Sequence, residues 1–195
     1  MKITNHTATA DNVEKNFNMS YKQPSATMVT EDDEKGAWMD EDGVKYSKDG
    51  KKLLTCTNKG LTDYPIRQGT EVICDEAFVE CESLQSVVIP SSVTTLGDSA
   101  FFWCGALRSV TIPDSVTNIG DCAFLGCSSL QSIAIPDSVT SIGVLAFEYC
   151  SSLQSIIIPA SVTTLGDHTF EGCSSLQSVI IPNSVTSIGE RAFFH

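Results

Sequence analysis

Eight cysteines, three histidines and an excess of carboxylates are the side chains here with reactive or metal-ligating chemistry, and their spacing restricts what they could do. Zinc sites usually take ligands from close pairs such as C-x-x-C. The closest cysteines in this chain are Cys122 and Cys127, with no histidine near them, and His6, His168 and His195 are scattered. No metal site and no cofactor is expected from such spacing. Cys81, Cys104, Cys127, Cys150 and Cys173 instead recur every 23 residues. In a stack, neighbours in that column would hold their β-carbons at nearly the α-carbon separation of about 5 Å, whereas a disulfide wants roughly 3.8 Å. A row of small buried apolar thiols is favoured over a disulfide ladder or a metal site. Cys56, Cys74 and Cys122 lie off the column and are left open, with eight free thiols expected. His168, between Asp167 and Thr169, reads as an exposed outer position. No nucleophile elbow, phosphate loop or dinucleotide fingerprint is present. The many serines recur with the repeat and are assigned to turns and strand edges, so the chain is not expected to be an enzyme.

The elements that would position these residues follow from the same period. Gly97, Gly120, Gly143, Gly166 and Gly189 keep the 23-residue step, as do Phe78, Phe101, Phe124, Phe147, Phe170 and Phe193, and Pro90, Pro113, Pro136, Pro159 and Pro182. Four columns in one register define a repeat within the leucine-rich-repeat range of about 20–29 residues. In the unit beginning at Gly143, Ala146, Phe147 and Cys150 are related by i+3 and i+4 steps, which suits a short helical turn pointing all three inward. The acids that follow the glycine in other units (Asp98, Asp121, Asp167, Glu190) would favour the start of that turn. Ile156 and Ile158 alternate with Ile157 as in a strand, and Pro159 ends it. Val162 and Leu165 then turn inward again. One coil cannot bury its apolar side alone, so the units must stack, with every phenylalanine of the spine nearly fully buried.

Units such as CSSLQSIIIPASVTTLGDHTF resemble the BspA-type leucine-rich-repeat family, with its pattern C-x-x-L-x-S-I-x-I-P-x-S-V-T-x-I-G-x-x-A-F. The resemblance covers about residues 61–195, with Cys74 in place of the first glycine and Thr169 in place of one alanine. It implies an α/β right-handed solenoid with a parallel sheet on one face and short helical turns on the other. It also implies adhesion or matrix-binding roles at a cell surface or after secretion.

The organisation expected is an irregular or disordered acidic segment over 1–37, a β-hairpin cap over 38–60 and the array over 61–195, with five full repeats. Asp49-Gly50 is a strong hairpin turn, and centring it there pairs Tyr46 with Leu53 and Val44 with Thr55, leaving Lys45 and Leu54 on the other face. Residues 61–73 align as a half-unit with Ile66 and Ile73 inward. The run Glu31-Asp32-Asp33-Glu34 reads as solvated or disordered. No secretory leader is recognisable in the first residues, which leaves localisation open between an intracellular protein and one whose leader lies elsewhere. The last unit stops before its cysteine and strand, which suggests a fragment or self-association through an uncapped C-terminal repeat.

Charge narrows the partners. Of a net charge of −12, residues 73–195 carry twelve acids against only Arg108 and Arg191, so phosphate backbones would be repelled and no nucleic-acid partner is expected. No apolar run reaches the roughly 20 residues of a membrane span, so no membrane insertion is expected. The remaining candidate surface is the outward side of the sheet. It carries a column of Val88, Thr111, Ala134, Ile157 and Ile180 beside a column of Gln85, Arg108, Gln131, Gln154 and Gln177. An apolar strip flanked by amides fits recognition of a protein or glycan; β-propensity filling one scaffold face explains it equally. A structural spacer or self-associating scaffold is the alternative role.

Overall fold

In a computed structural model that describes residues 25–194, the chain is a β-solenoid with an antiparallel cap. The cap consists of β1 (Trp38–Met39), β2 (Val44–Tyr46) and β3 (Lys52–Cys56). Each following coil then contributes two short strands. The first of each coil are β4 (Asp63–Pro65), β6 (Ser86–Val88), β8 (Ser109–Thr111), β10 (Ser132–Ala134), β12 (Ser155–Ile157) and β14 (Ser178–Ile180). They make a six-stranded parallel sheet in that order. The second of each coil are β5 (Val72–Ile73), β7 (Thr95–Leu96), β9 (Asn118–Ile119), β11 (Ser141–Ile142), β13 (Thr164–Leu165) and β15 (Ser187–Ile188). Strands β5 to β11 continue the cap sheet from β3, and β13 pairs with β15. The register is one repeat per coil, for example Ile156 against Val179 and Leu96 against Ile119.

The third wall differs from expectation. Ala146, Phe147 and Cys150 are all fully buried, as the repeat pattern requires, but the segment carrying them is a run of turns and not a helix. Its amides alternate between two destinations. Glu148 and Cys150 donate back to Leu145 and Phe147 in their own coil, while Leu145, Phe147 and Tyr149 donate to Asp167, Thr169 and Glu171 of the next. A short helix would leave its first amides without a partner in its own coil, whereas stacked coils supply one from the next, so this wall is a third ladder. The alternation requires left-handed residues, including Leu145 (φ 59°) and Tyr149 (φ 56°), with Gly126 and Gly172 at the positions equivalent to Tyr149. Each non-glycine residue held there costs on the order of 1 kcal/mol, and the inter-coil hydrogen bonds offset it.

The recurring polar residues are explained by stacking. Asp75, Asp98, Asp121 and Asp167 each accept the backbone N–H of the residue 23 positions further on, at Asp98, Asp121, Val144 and Glu190, across 2.7–2.9 Å. These carboxylates therefore tie coils together and do not cap helices. Ser115, Ser138 and Ser184 donate to the carbonyls of Val93, Val116 and Val162 in the preceding coil. Glycine is needed where coils touch: a β-carbon on Gly143 would lie 2.5 Å from the backbone of Gly120.

Inside, Phe78, Phe101, Phe124, Phe147, Phe170 and Phe193 stack with ring centroids 5.2–5.4 Å apart and nearly parallel planes. All but the last are fully buried; Phe193 is half-buried because no further ring lies on its outer face. Tyr64 starts the column against Phe78 and is hydrogen-bonded to Tyr46 at 2.6 Å and to Asp40, which fastens the cap to the first coil. Ile66 and Ile73 face inward as the half-unit alignment requires.

Two expectations for the N-terminal part need correction. Tyr46 does pair with Leu53, but an irregularity between Lys45 and Tyr46 shifts Val44 opposite Cys56 and Lys45 opposite Thr55. The shift allows Val44, Tyr46, Leu53 and Cys56 to be buried together; Leu54 is buried as well. The acidic run is ordered, forming α1 (Glu31–Glu34) with a Thr30–Asp33 capping box. It docks through Lys52 on Asp33 at 2.9 Å and Lys45 on Glu34, so cap lysines compensate its charge. His6 and His195 lie outside the described residues.

Candidate functional site

All ten sequence-selected positions are exposed. Val88, Thr111, Ala134, Ile157 and Ile180 form the outward column of the six-stranded sheet, and Gln85, Arg108, Gln131, Gln154 and Gln177 are exposed at the start of the same strands. Strand alternation explains the placement, since Val87, Val110, Ile133 and Ile156 point into the core from the intervening positions. Val88 and Ile157 keep 61% of their surface exposed and Ile180 keeps 56%. Between the two columns runs a third that the sequence reading assigned only to strand edges: Ser86, Ser109, Ser132, Ser155 and Ser178 sit one step before the apolar column on the same side. Period-2 alternation from Val88 back to Ser86 was the available signal. The face is thus amide, hydroxyl and aliphatic in successive columns, with Arg108 as its one charge among these positions.

The cysteines are all free and buried. Cys104, Cys127, Cys150 and Cys173 donate their S–H groups to the carbonyls of Phe78, Phe101, Phe124 and Phe147, 3.1–3.3 Å away in the preceding coil. Burial pushes Cys104 and Cys173 up to about 12, so these thiols stay protonated and serve as structural donors. Cys56 extends this column at its cap end, where the neighbouring Cys81 thiol pulls it down to about 7.

A second grouping is on the turn wall. The residue after each spine phenylalanine is Val79, Phe102, Leu125, Glu148, Glu171 and Phe194 in successive units. Around its apolar part, Phe102, Cys122, Leu125 and Leu145 form a small buried cluster of their own. The next two coils replace it with carboxylates. Oxygen atoms of Glu148 and Glu171 and a ring nitrogen of His168 lie within 4.8 Å of one another. His168 Nδ1 contacts Glu171 Oε2, and Arg191 reaches both oxygens of Glu171 at 3.0–3.1 Å through Nε. Glu148 is only 6% exposed, and its Oε2 has no hydrogen-bond partner. Desolvation, with the charge of Glu171 beside it, raises its carboxyl to about 7. On Glu171, hydrogen bonds from Arg191 and His168 outweigh desolvation and lower the carboxyl. The sequence reading missed this set because its members are 3, 20 and 23 residues apart and only stacking joins them; the break in an apolar column at Glu148 and Glu171 was the signal.

Comparison with known proteins places this arrangement. Residues 71–195 match the model of the BspA type leucine rich repeat region in six copies. No curated protein matches. Among solved structures, the chain is similar to a leucine rich cell surface protein from Faecalibacterium prausnitzii, with 33% identity and a TM-score of 0.67 over 71% of this chain and 38% of that one. It is also similar to a leucine rich repeat protein from T. pallidum, with 27% identity and a TM-score of 0.56 over 86% of both chains. The pneumococcal vaccine antigen PcpA shares the fold at 22% identity and a TM-score of 0.66, over 76% of this chain and 41% of that one. The chain spans less than half the length of the first and third of these. With its 23-residue coils, parallel sheets and N-terminal antiparallel cap, this chain belongs to the BspA type leucine rich repeat family.

Proposed function

We propose that this chain is a non-catalytic adhesion module, presented at a cell surface or after secretion, that binds a protein or glycan through the open face of its six-stranded sheet. The observation that carries this reading is the row of branched aliphatics on that face, with Val88, Ile157 and Ile180 each more than half exposed. Fully burying such a side chain gains about 1.5–3 kcal/mol, so covering the exposed half of each contributes roughly 1 kcal/mol to binding. Serine hydroxyls and glutamine amides beside them supply donors and acceptors for a peptide backbone or a sugar. The acidic array disfavours nucleic acid, and among the described residues no helix is long and apolar enough to cross a membrane. The cell-surface description of the F. prausnitzii relative supports the location.

The test is capture on immobilised matrix proteins and glycans by the parent and by an Ile157→Glu, Ile180→Glu variant. The parent should bind at least one of them and the variant should lose that binding. Equal capture by both would place the site elsewhere. The alternative reading is a structural spacer or self-associating scaffold repeat; sedimentation showing a monomer at high concentration would remove self-association.

A further inference from the structure

The turn wall carries a feature that sheet-face binding does not use. Repeats elsewhere on this wall place Val, Phe or Leu after the spine phenylalanine, yet two adjacent coils place Glu148 and Glu171 there, with His168 beside them. Burying a carboxylate without a partner costs several kcal/mol. Arg191 answers this for Glu171 alone, by a fork onto both its oxygens. Glu148 stays buried with Oε2 unpartnered, although it lies in the same grouping as the other two donors. We propose that Glu148, His168 and Glu171 form a divalent transition-metal site, with zinc as its best-suited occupant.

The donor set supports that class of ion. Two carboxylates and one imidazole are oxygen and nitrogen ligands of the kind zinc takes in three-protein-ligand sites, with water in the fourth position. Ligand atoms around a tetrahedral zinc lie roughly 3.3 Å apart, since each bond is about 2.0–2.1 Å. A set already within 4.8 Å needs only side-chain adjustment. The ion would give Glu148 Oε2 the partner it lacks. Arg191 need not leave, because its Nη2 bonds Oε1 of Glu171; only its Nε shares Oε2 with the imidazole, and an ion on Oε2 would displace that one contact. It would then orient Glu171 from outside the coordination shell. The fold sets the spacing: one repeat brings Glu148 and Glu171 onto neighbouring coils, and a single turn sets His168 next to Glu171.

The test is a zinc titration of metal-free, fully reduced protein against a chromophoric chelator, with cobalt as a spectroscopic reporter. The parent should bind one equivalent. Glu148→Gln and His168→Ala should each weaken binding by at least about tenfold. Glu148→Gln keeps the shape and removes a buried charge, so its metal-free melting temperature should not fall, which separates lost binding from lost fold. The cobalt form should show visible ligand-field bands without thiolate charge transfer. Failure of the parent to compete for zinc overturns the proposal. So does unchanged binding in Glu148→Gln, or a thiolate band, either of which would place the ion elsewhere.

Discussion

The sheet wall and the turn wall are built on the same coils, yet they vary along the array in opposite ways. On the sheet, each strand after β4 (Asp63–Pro65) repeats the same outward chemistry of amide or Arg108, serine and a small or branched side chain. On the turn wall, outward residues change from the apolar set Phe102, Cys122, Leu125 and Leu145 to Glu148, His168, Glu171 and Arg191 within two coils. Both walls share the inward columns of Phe, Cys and Leu or Ile, which are buried throughout the middle of the array. Spine positions are therefore fixed by packing, the sheet's outward column is released from it, and the turn wall's second layer is buried in its own right without being tied to one residue type. A face that repeats suits an extended ligand, whereas a departure confined to two coils suits a small one.

A substantial effect specific to the turn wall is expected at Gly172. Its backbone is left-handed at φ +70°, and an added β-carbon would lie 2.5 Å from the Tyr149 ring. Gly172→Ala should cost about 1–3 kcal/mol through crowding and backbone strain, read by urea denaturation. An unchanged midpoint would mean that the turn wall is not held by the ladder described.

A smaller, pH-dependent effect is expected at Glu148 in metal-free protein. Its carboxyl is raised from 4.5 to about 7 in the folded chain. Between those values the folded state holds more protons than the unfolded state, so stability falls as pH rises from 4.5 to about 7 and this contribution is then constant. The slope is at most about 1.4 kcal/mol per pH unit. Glu148→Gln should remove that contribution, whereas an identical pH profile would show that Glu148 is solvated in the fold.

The sequence was informative where one residue type repeats in one register. The Phe spine, the thiol column, both strands of each coil and the exposure of the ten selected outer positions were readable, because a 23-residue step makes a column visible without knowing the coil's path. Features that depend on contact between coils were not. The i+3 and i+4 spacing of Ala146, Phe147 and Cys150 fits a helix as well as a turn ladder, and only the neighbouring coil's carbonyls decide between them. The carboxylates after glycine looked like helix-start charges until the amides of the next coil were found on them. The hairpin shift at Lys45 and Tyr46 likewise reflects what the first coil must bury.

The division between inward and outward residues is tested most directly by equilibrium unfolding of two variants side by side. Phe147 is fully buried between two stacked rings, whereas Ile157 and Ile180 are 61% and 56% exposed. Phe147→Ala should lose about 3–5 kcal/mol. The Ile157→Glu, Ile180→Glu variant should stay within about 1 kcal/mol of the parent, or about 0.5 kcal/mol per surface substitution. A comparable loss in both, or a larger one in the double variant, would contradict the assignment of the sheet face as a surface free to bind.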